Sequence, residues 1–250
     1  MTSDPPLAKA GGLVTGADLS AFDWTEANLT DAVFEDCAIE DAAFSDTVLQ
    51  GARFVRCRII RARFANADLR EAVFEDCVLA DAQSKTGPQF VFSRLDDAVF
   101  RRCDLTLGRF DRSSLHSVVM EDCNLRGARF EHADFSRAFG RKVVTVAATF
   151  RRCNFDLADL SEVRLPGCEL AGCDFREADL SGADLTDTDL RAANLFGTII
   201  DGARLGGADL RGGEVSGLDL TRLASREGLK ITVNQQYALL SALGLDVQTE

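Results

Sequence analysis

A chain of 250 residues with 28 Lys and Arg against 40 Asp and Glu carries a formal charge of −12. That balance argues against direct binding of nucleic-acid phosphates, and it permits the converse role of offering an acidic surface to a protein that itself binds DNA. The length alone would suit one or two globular domains. No apolar run reaches transmembrane length, and Met1–Ala10 has two prolines and no signal-peptide core, so a cytoplasmic location without membrane contact is expected.

Residues 1–14 read as a flexible N-terminus. From Leu19 an apolar residue recurs every fifth position, through Trp24, Leu29 and Phe34 to Leu79; the comb resumes from Phe90 to Phe135 and from Phe150 to Leu220. Two positions before each tooth sits a small residue, most often Ala or Cys. Five residues rotate a helix by about 500°, which scatters the teeth, and in a straight strand an odd period throws alternate teeth onto opposite faces. A chain that turns a corner every five residues points all of them inward. Cys37, Cys57 and Cys77 recur at twenty, as do Cys103 and Cys123, and Cys153 and Cys173. Twenty residues make four sides, so the chain closes a square coil and stacks the next upon it, as a solenoid does.

Units such as Ala17-Asp18-Leu19, Ala67-Asp68-Leu69, Ala178-Asp179-Leu180 and Ala208-Asp209-Leu210 resemble the A(D/N)LXX signature of pentapeptide-repeat proteins, over roughly residues 15–222. The resemblance implies an all-β solenoid, the right-handed quadrilateral β-helix, here with two loop insertions and a short C-terminal helix. At a strand spacing of about 4.8 Å, roughly ten coils make a rod about 45–50 Å long. If the faces are labelled A for Leu19, B for Trp24, C for Leu29 and D for Phe34, aromatic teeth gather on B and D and aliphatic teeth on A and C.

Seven of the eight cysteines form one inward ladder at the small position of face A, and Cys168 takes that slot on face D. The coil spacing is long for the roughly 3.5–4.5 Å between Cβ atoms of a disulfide, and a straight column cannot supply tetrahedral zinc ligands. The thiols therefore read as small buried hydrophobes. The two histidines, His116 and His132, both fall at outward positions. With no nucleophile elbow, phosphate loop or metal-spaced cluster, no catalytic, metal or cofactor site is expected, and the chain does not read as an enzyme.

After each face-D tooth the charge alternates from coil to coil: Glu35-Asp36, Val55-Arg56, Glu75-Asp76, Arg101-Arg102, Glu121-Asp122, Arg151-Arg152. Stacking sets these against one another as a register-favouring ion-pair ladder. Face B carries more uncompensated acid, with Asp46, Glu131, Asp159, Glu162, Asp179 and Asp201 as the candidate DNA-like surface.

The comb slips twice. Between Leu79 and Phe90 six residues are inserted, a polar Gly-Pro loop near 80–89. Between Phe135 and Phe150 ten are inserted, near 136–149, and this loop is both cationic and apolar. Loops on rigid scaffolds commonly carry function, so Gln83, Ser84, Lys85, Thr86 and Gly87 of loop 1, and Phe139, Gly140, Arg141, Lys142, Val143 and Val144 of loop 2, are the candidate partner contacts.

Residues 223–250 lie beyond the comb. Ile231–Val233 suits a short strand, Asn234 a helix N-cap and Gly244 a helix stop, with Tyr237, Leu240 and Leu243 on one side of the helix. The helix reads either as a cap over the last coil or as a twofold dimerisation element, the latter implied by the family. The run from Phe92-Ser93-Arg94 through Phe100-Arg101-Arg102-Cys103-Asp104-Leu105 to Arg109-Phe110-Asp111-Arg112-Ser113-Ser114, flanked by the two loops, together with Asn234-Gln235-Gln236-Tyr237, is similar to the quinolone-resistance (Qnr) branch of the family. That implies a homodimer that binds DNA gyrase, and topoisomerase IV as a second target, and relieves topoisomerase poisons by mimicking DNA. The alternative is an interaction scaffold whose partner is not a topoisomerase.

Overall fold

A computed structural model describes residues 8–140, 143–246 and 248 of the chain. Every fifth residue of the comb points into one continuous core. Successive coils are joined by parallel pairing at an offset of twenty on all four sides, as in Asp18↔Ala38, Asp23↔Ala43, Asn28↔Val48 and Phe34↔Phe54. The offset grows to 26 across the first break, in Arg63↔Gln89, and to 30 across the second, in Asn124↔Asn154. Each insertion thus leaves the register on either side of it intact.

Five residues leave room for only three or four in a strand before the next corner. Wall D is the most regular. There β1 (Leu13–Thr15), β2 (Val33–Glu35), β4 (Arg53–Val55), β6 (Val73–Glu75), β7 (Val99–Arg101), β8 (Val118–Glu121) and β11 (Ala148–Arg151) form one parallel sheet in that order. On wall A, β3 (Ala38–Glu40) pairs with β5 (Arg58–Ile60). The remaining two strands, β9 (Ser136–Phe139) and β10 (Val143–Val146), belong to loop 2. The first strand lies partly inside the segment expected to be a flexible flank. Val14 is buried, five residues before Leu19, so the comb begins one tooth earlier than its sequence pattern suggests.

The aromatic teeth pack as a herringbone. On wall D, Phe34, Phe54, Phe74 and Phe100 stack with ring centroids 4.7–4.8 Å apart. On wall B, Phe44 and Phe64 stack at 4.8 Å, and so do Phe110 and Phe130. Between the walls the rings meet edge to face, as in Phe64–Phe74 at 6.3 Å and 90°. This satisfies the ring quadrupole both along and across the rod.

All eight cysteines are free and buried. The seven thiols of the ladder donate to carbonyls of the preceding coil, as Cys57 does to Phe34 O and Cys77 to Phe54 O, each at 3.3 Å, whereas Cys168 donates to Pro166 O of its own coil at 3.8 Å. Thr47 and Thr198 use the small position in the same way, donating to Trp24 O at 2.7 Å and Phe175 O at 2.8 Å. The slot therefore takes either a methyl or a short donor, which explains why Ala, Cys, Ser and Thr share it.

The corners are left-handed, with φ near +54° at Asp36 and Asp76 and +50° at Arg56 and Arg152. That region costs an L-residue roughly 1–2 kcal/mol. The same residues form the ladder: Arg56–Asp36 at 2.7 Å, Arg102–Asp76 at 2.6 Å and Arg152–Asp122 at 2.7 Å. The guanidiniums hold these three carboxyls below the ordinary carboxylate range. A depressed value means that the pairing favours the fold above the ordinary carboxylate pKa and is lost as pH falls through the lowered one. The pairs are exposed, so they act more on register than on stability.

At the C-terminal end, helix α1 (Val233–Ala242) closes the rod. It begins two residues earlier than expected, with Thr232 rather than Asn234 as N-cap, and Ile231–Val233 forms no strand. The reason is Gln235 at the third helical position. Its Oε1 accepts from Thr232 N at 2.8 Å, completing one half of a capping box, while its Nε2 donates to Leu210 O and Gly213 O at 2.7 and 2.8 Å. Gln235 and Leu239 are buried against the last coil. Among the described residues no helix is long and apolar enough to cross a membrane.

Candidate partner-binding surface

The two insertions leave the rod at diagonally opposite corners, loop 1 between walls A and B and loop 2 between walls C and D. The structure therefore does not bring them into one site.

Loop 1 is a tight turn built on Asp81. Backbone bonds between Asp81 and Thr86 close it in both directions, at 2.8 and 3.2 Å. The buried Asp81 carboxylate accepts from Ser84 Oγ at 2.7 Å, Gln83 N at 3.0 Å and Arg61 Nη1 at 2.7 Å. The Ser84 hydroxyl, then the Arg61 guanidinium, hold that carboxyl far below the usual range. Gln83, Ser84, Lys85 and Thr86 are exposed, as a partner contact requires.

Gly87 is not available to a partner. It is buried against the next coil, and a Cβ there would lie 2.3 Å from Leu107 C and Thr106 O. Its role is close backbone approach, which a one-residue reading of the loop could not reveal. Gly87→Ala is expected to lift loop 1 off the wall and to cost about 1–3 kcal/mol, read as a lowered urea midpoint. Between loop 1 and the wall lies a groove of about 650 Å³, lined by Ala82, Leu107 and Leu157 with Lys85 and Arg126 among its polar groups.

Loop 2 is a β-hairpin. Strands β9 and β10 pair in antiparallel register from Ser136↔Val146 to Phe139↔Val143. Gly140, at φ +72°, begins its turn, and the expected contacts Arg141 and Lys142 lie outside the described residues. Phe139, Val143 and Val144 are 55%, 53% and 66% exposed. Phe139 and Val143 face each other on the side of the hairpin that carries Arg137 and Thr145, and Val144 stands on the other side, so the hairpin exposes apolar surface on both faces, the kind of surface that marks an interaction site.

The hairpin base corrects one expectation. His116 does not face solvent; it is 5% exposed, because the hairpin folds over it. Its Nε2 lies 3.1 Å from Thr145 Oγ1, and its Nδ1 lies 3.0 Å from Ser117 Oγ. His132 does stay exposed, 3.9 Å from Glu131.

The acidic candidates are only partly gathered. Glu131, Asp159, Glu162, Asp179 and Asp201 occupy successive coils, with Arg129, Asp159 and Asp179 in one ladder. Asp46 sits apart, separated from them along wall B by Arg63, Gln89, Arg109 and Arg129. Arg129 pairs with Glu131 at 3.0 Å and reaches Asp159 at 4.0 Å, and Arg222 pairs with Asp201. Among the described residues Asp46, Glu162 and Asp179 form no ion pair.

On α1, Tyr237 and Leu243 are 54% and 44% exposed and Leu240 is half-buried; Tyr237 and Leu240 lie away from the buried Gln235 and Leu239, whereas Leu243, one turn beyond Leu239, follows the coil-facing side at the helix end. Val233 adds to the outer side, and Leu245 is exposed just past the helix end. They were missed because the helix was expected to begin after Val233, although the spacing 233, 237, 240 was there to be read.

A family model described as pentapeptide repeats matches residues 109–139, 153–191 and 188–222 in eight copies. A second, described as a pentapeptide repeat region, matches residues 15–83. Together they take in more than half of the chain, and they break off at the two loops. No curated protein shows a significant sequence match. Among solved structures, a trypsin-treated variant of QnrB1, described as a plasmid-mediated fluoroquinolone resistance protein, is 24% identical with a TM-score of 0.75, covering 95% of this chain and 99% of that one. Full-length QnrB1 gives 24% identity and a TM-score of 0.70 over 94% and 100% of the two chains. At that identity the likeness is one of fold, the right-handed β-helix.

Proposed function

The chain belongs to the pentapeptide-repeat family, and from that premise we propose that it is a non-enzymatic, cytoplasmic protein that binds DNA gyrase, with topoisomerase IV as a second target, and protects it from quinolone-type or natural poisons. The observation that carries this reading is the β9–β10 hairpin. It holds Phe139, Val143 and Val144 exposed on an acidic rod whose fold is shared with QnrB1, a fluoroquinolone resistance protein, along 95% of this chain. The run of acid from Glu131 to Asp201 along the rod would occupy a surface that normally receives DNA. The hairpin, and Gln83–Thr86 of loop 1, would supply the specific contacts. A direct test is capture of purified gyrase by the immobilised protein at low and high salt. Salt-sensitive retention is expected; no retention at either salt, with a different protein retained from extract, would favour an unrelated scaffold role.

The apolar face of α1 fits a second copy of the chain. Closed twofold pairs are the commonest oligomers, and the exposed apolar groups Tyr237, Leu240 and Leu243 at the end of the rod would meet their counterparts across such an axis. Tyr237→Asp combined with Leu240→Asp is expected to halve the mass in solution by light scattering while leaving the melting curve of the coils in place. An unchanged mass would remove α1 as the dimer contact.

A further inference from the structure

Loop 2 differs from a free tip on a tether, because its base is fastened to the coil by a small polar cluster. Asp96, Asp97, His116 and Ser117 come from the C–D corner of two successive coils, and Arg137 and Thr145 come from the facing positions of β9 and β10. Arg137 pairs with Asp97 at 2.9 Å and reaches Asp96 at 3.8 Å. Asp96 in turn accepts from Ser114 Oγ at 2.8 Å and His116 N at 3.2 Å, so both of its oxygens are occupied. His116 stands between the coil and the hairpin with Ser117 on Nδ1, Thr145 on Nε2 and the Phe139 ring 6.2 Å away edge-on. A neutral imidazole has one donor and one acceptor, and two hydroxyls can complement either tautomer. The backbone joins in, since Ser117 N donates to Ala147 O at 2.7 Å.

We propose that His116 is a positioning residue: a latch, closed by Thr145 and backed by the Arg137–Asp97 pair, that holds the β9–β10 hairpin in one pose and so presents Phe139, Val143 and Val144 preorganised for a protein partner. A two-stranded hairpin is marginal on its own. Without the latch its apolar side chains would have to be ordered at the moment of binding, which costs affinity. The consequence for binding rests on the gyrase reading above; the latch itself does not.

The test uses the full-length protein, with amide hydrogen exchange and gyrase rescue measured in parallel. Thr145→Val removes the hydroxyl with little change of shape, and Thr145→Ser keeps it. Losing one partly buried hydrogen bond is expected to speed exchange of the β9 and β10 amides about fivefold in Thr145→Val, with Thr145→Ser close to the unsubstituted protein and β8 and β11 unchanged. His116→Phe should match Thr145→Val, and the double variant should go no further than either alone. Rescue by Thr145→Val should need about fivefold more protein. Unchanged exchange in Thr145→Val, equal acceleration in Thr145→Ser, or additive effects of the two sites would overturn the latch. Accelerated exchange with undiminished rescue would overturn its link to recognition. If the unsubstituted protein gives no rescue at all, the gyrase reading falls and the exchange data alone decide the latch.

Discussion

Deleting residues 138–147 is expected to abolish protection of gyrase while leaving the rod folded. The ten residues removed equal the insertion, so Phe135 and Phe150 return to a five-residue spacing and the coil closes as it does elsewhere. The β8–β11 pairing of Val118–Glu121 with Ala148–Arg151 sits next to the cut and has its own ladder to rebuild on. What is lost is the exposed apolar surface of Phe139, Val143 and Val144, together with the cover over His116. If that surface holds the interface hot spot, binding should weaken by about thirtyfold or more, the scale of a loss of about 2 kcal/mol. Circular dichroism and the melting curve should stay within a few degrees of the intact protein. Full protection by the deletion variant would refute the role given to loop 2.

Phe74→Ala should be the most damaging single substitution in the rod. Phe74 is fully buried and stacks on Phe54 at 4.7 Å and Phe100 at 4.8 Å, with Phe64 and Phe90 edge-on at 6.3 and 6.2 Å. Removing it breaks the herringbone in both directions and leaves a cavity that a rigid coil cannot close. A cost of about 3–5 kcal/mol is expected, read by urea denaturation. Phe74→Leu should cost far less, because walls A and C already accept Leu at the same depth. A solenoid is held by nearest-neighbour contacts, so Phe74→Ala is also expected to divide the unfolding transition near the middle coils. A single transition with an unchanged midpoint would contradict this picture of the core.

The fold was legible in the chain because its signal is a property of single residues repeated at a fixed spacing. The inward comb, the four sides and the cysteine ladder all follow from that spacing. The Asp36–Arg56 and Asp76–Arg102 pairs could be foreseen because stacking turns a sequence offset into a contact. The surface was less legible where a position depends on what folds over it. His116 occupies an outward slot, and only the hairpin's own pairing brings Thr145 down on it. Gly87 looks like an ordinary loop glycine until the backbone of the next coil, at Thr106 and Leu107, is placed beside it. The neutralisation of Glu131 and Asp159 depends on Arg129, which lies in the adjacent ladder position and weakens the acidic stripe that composition alone suggests. At the C-terminus the Thr232-x-x-Gln235 spacing was a readable capping signal, but Asn234 competed with it.

The central claim is that the rod and its hairpin act on a type II topoisomerase. The most direct measurement is gyrase supercoiling at an inhibiting concentration of a fluoroquinolone, with purified protein titrated in. Supercoiling should recover in a dose-dependent manner with the intact protein, and the recovery should be lost with the 138–147 deletion. Absence of recovery at any concentration of a folded protein would contradict the account.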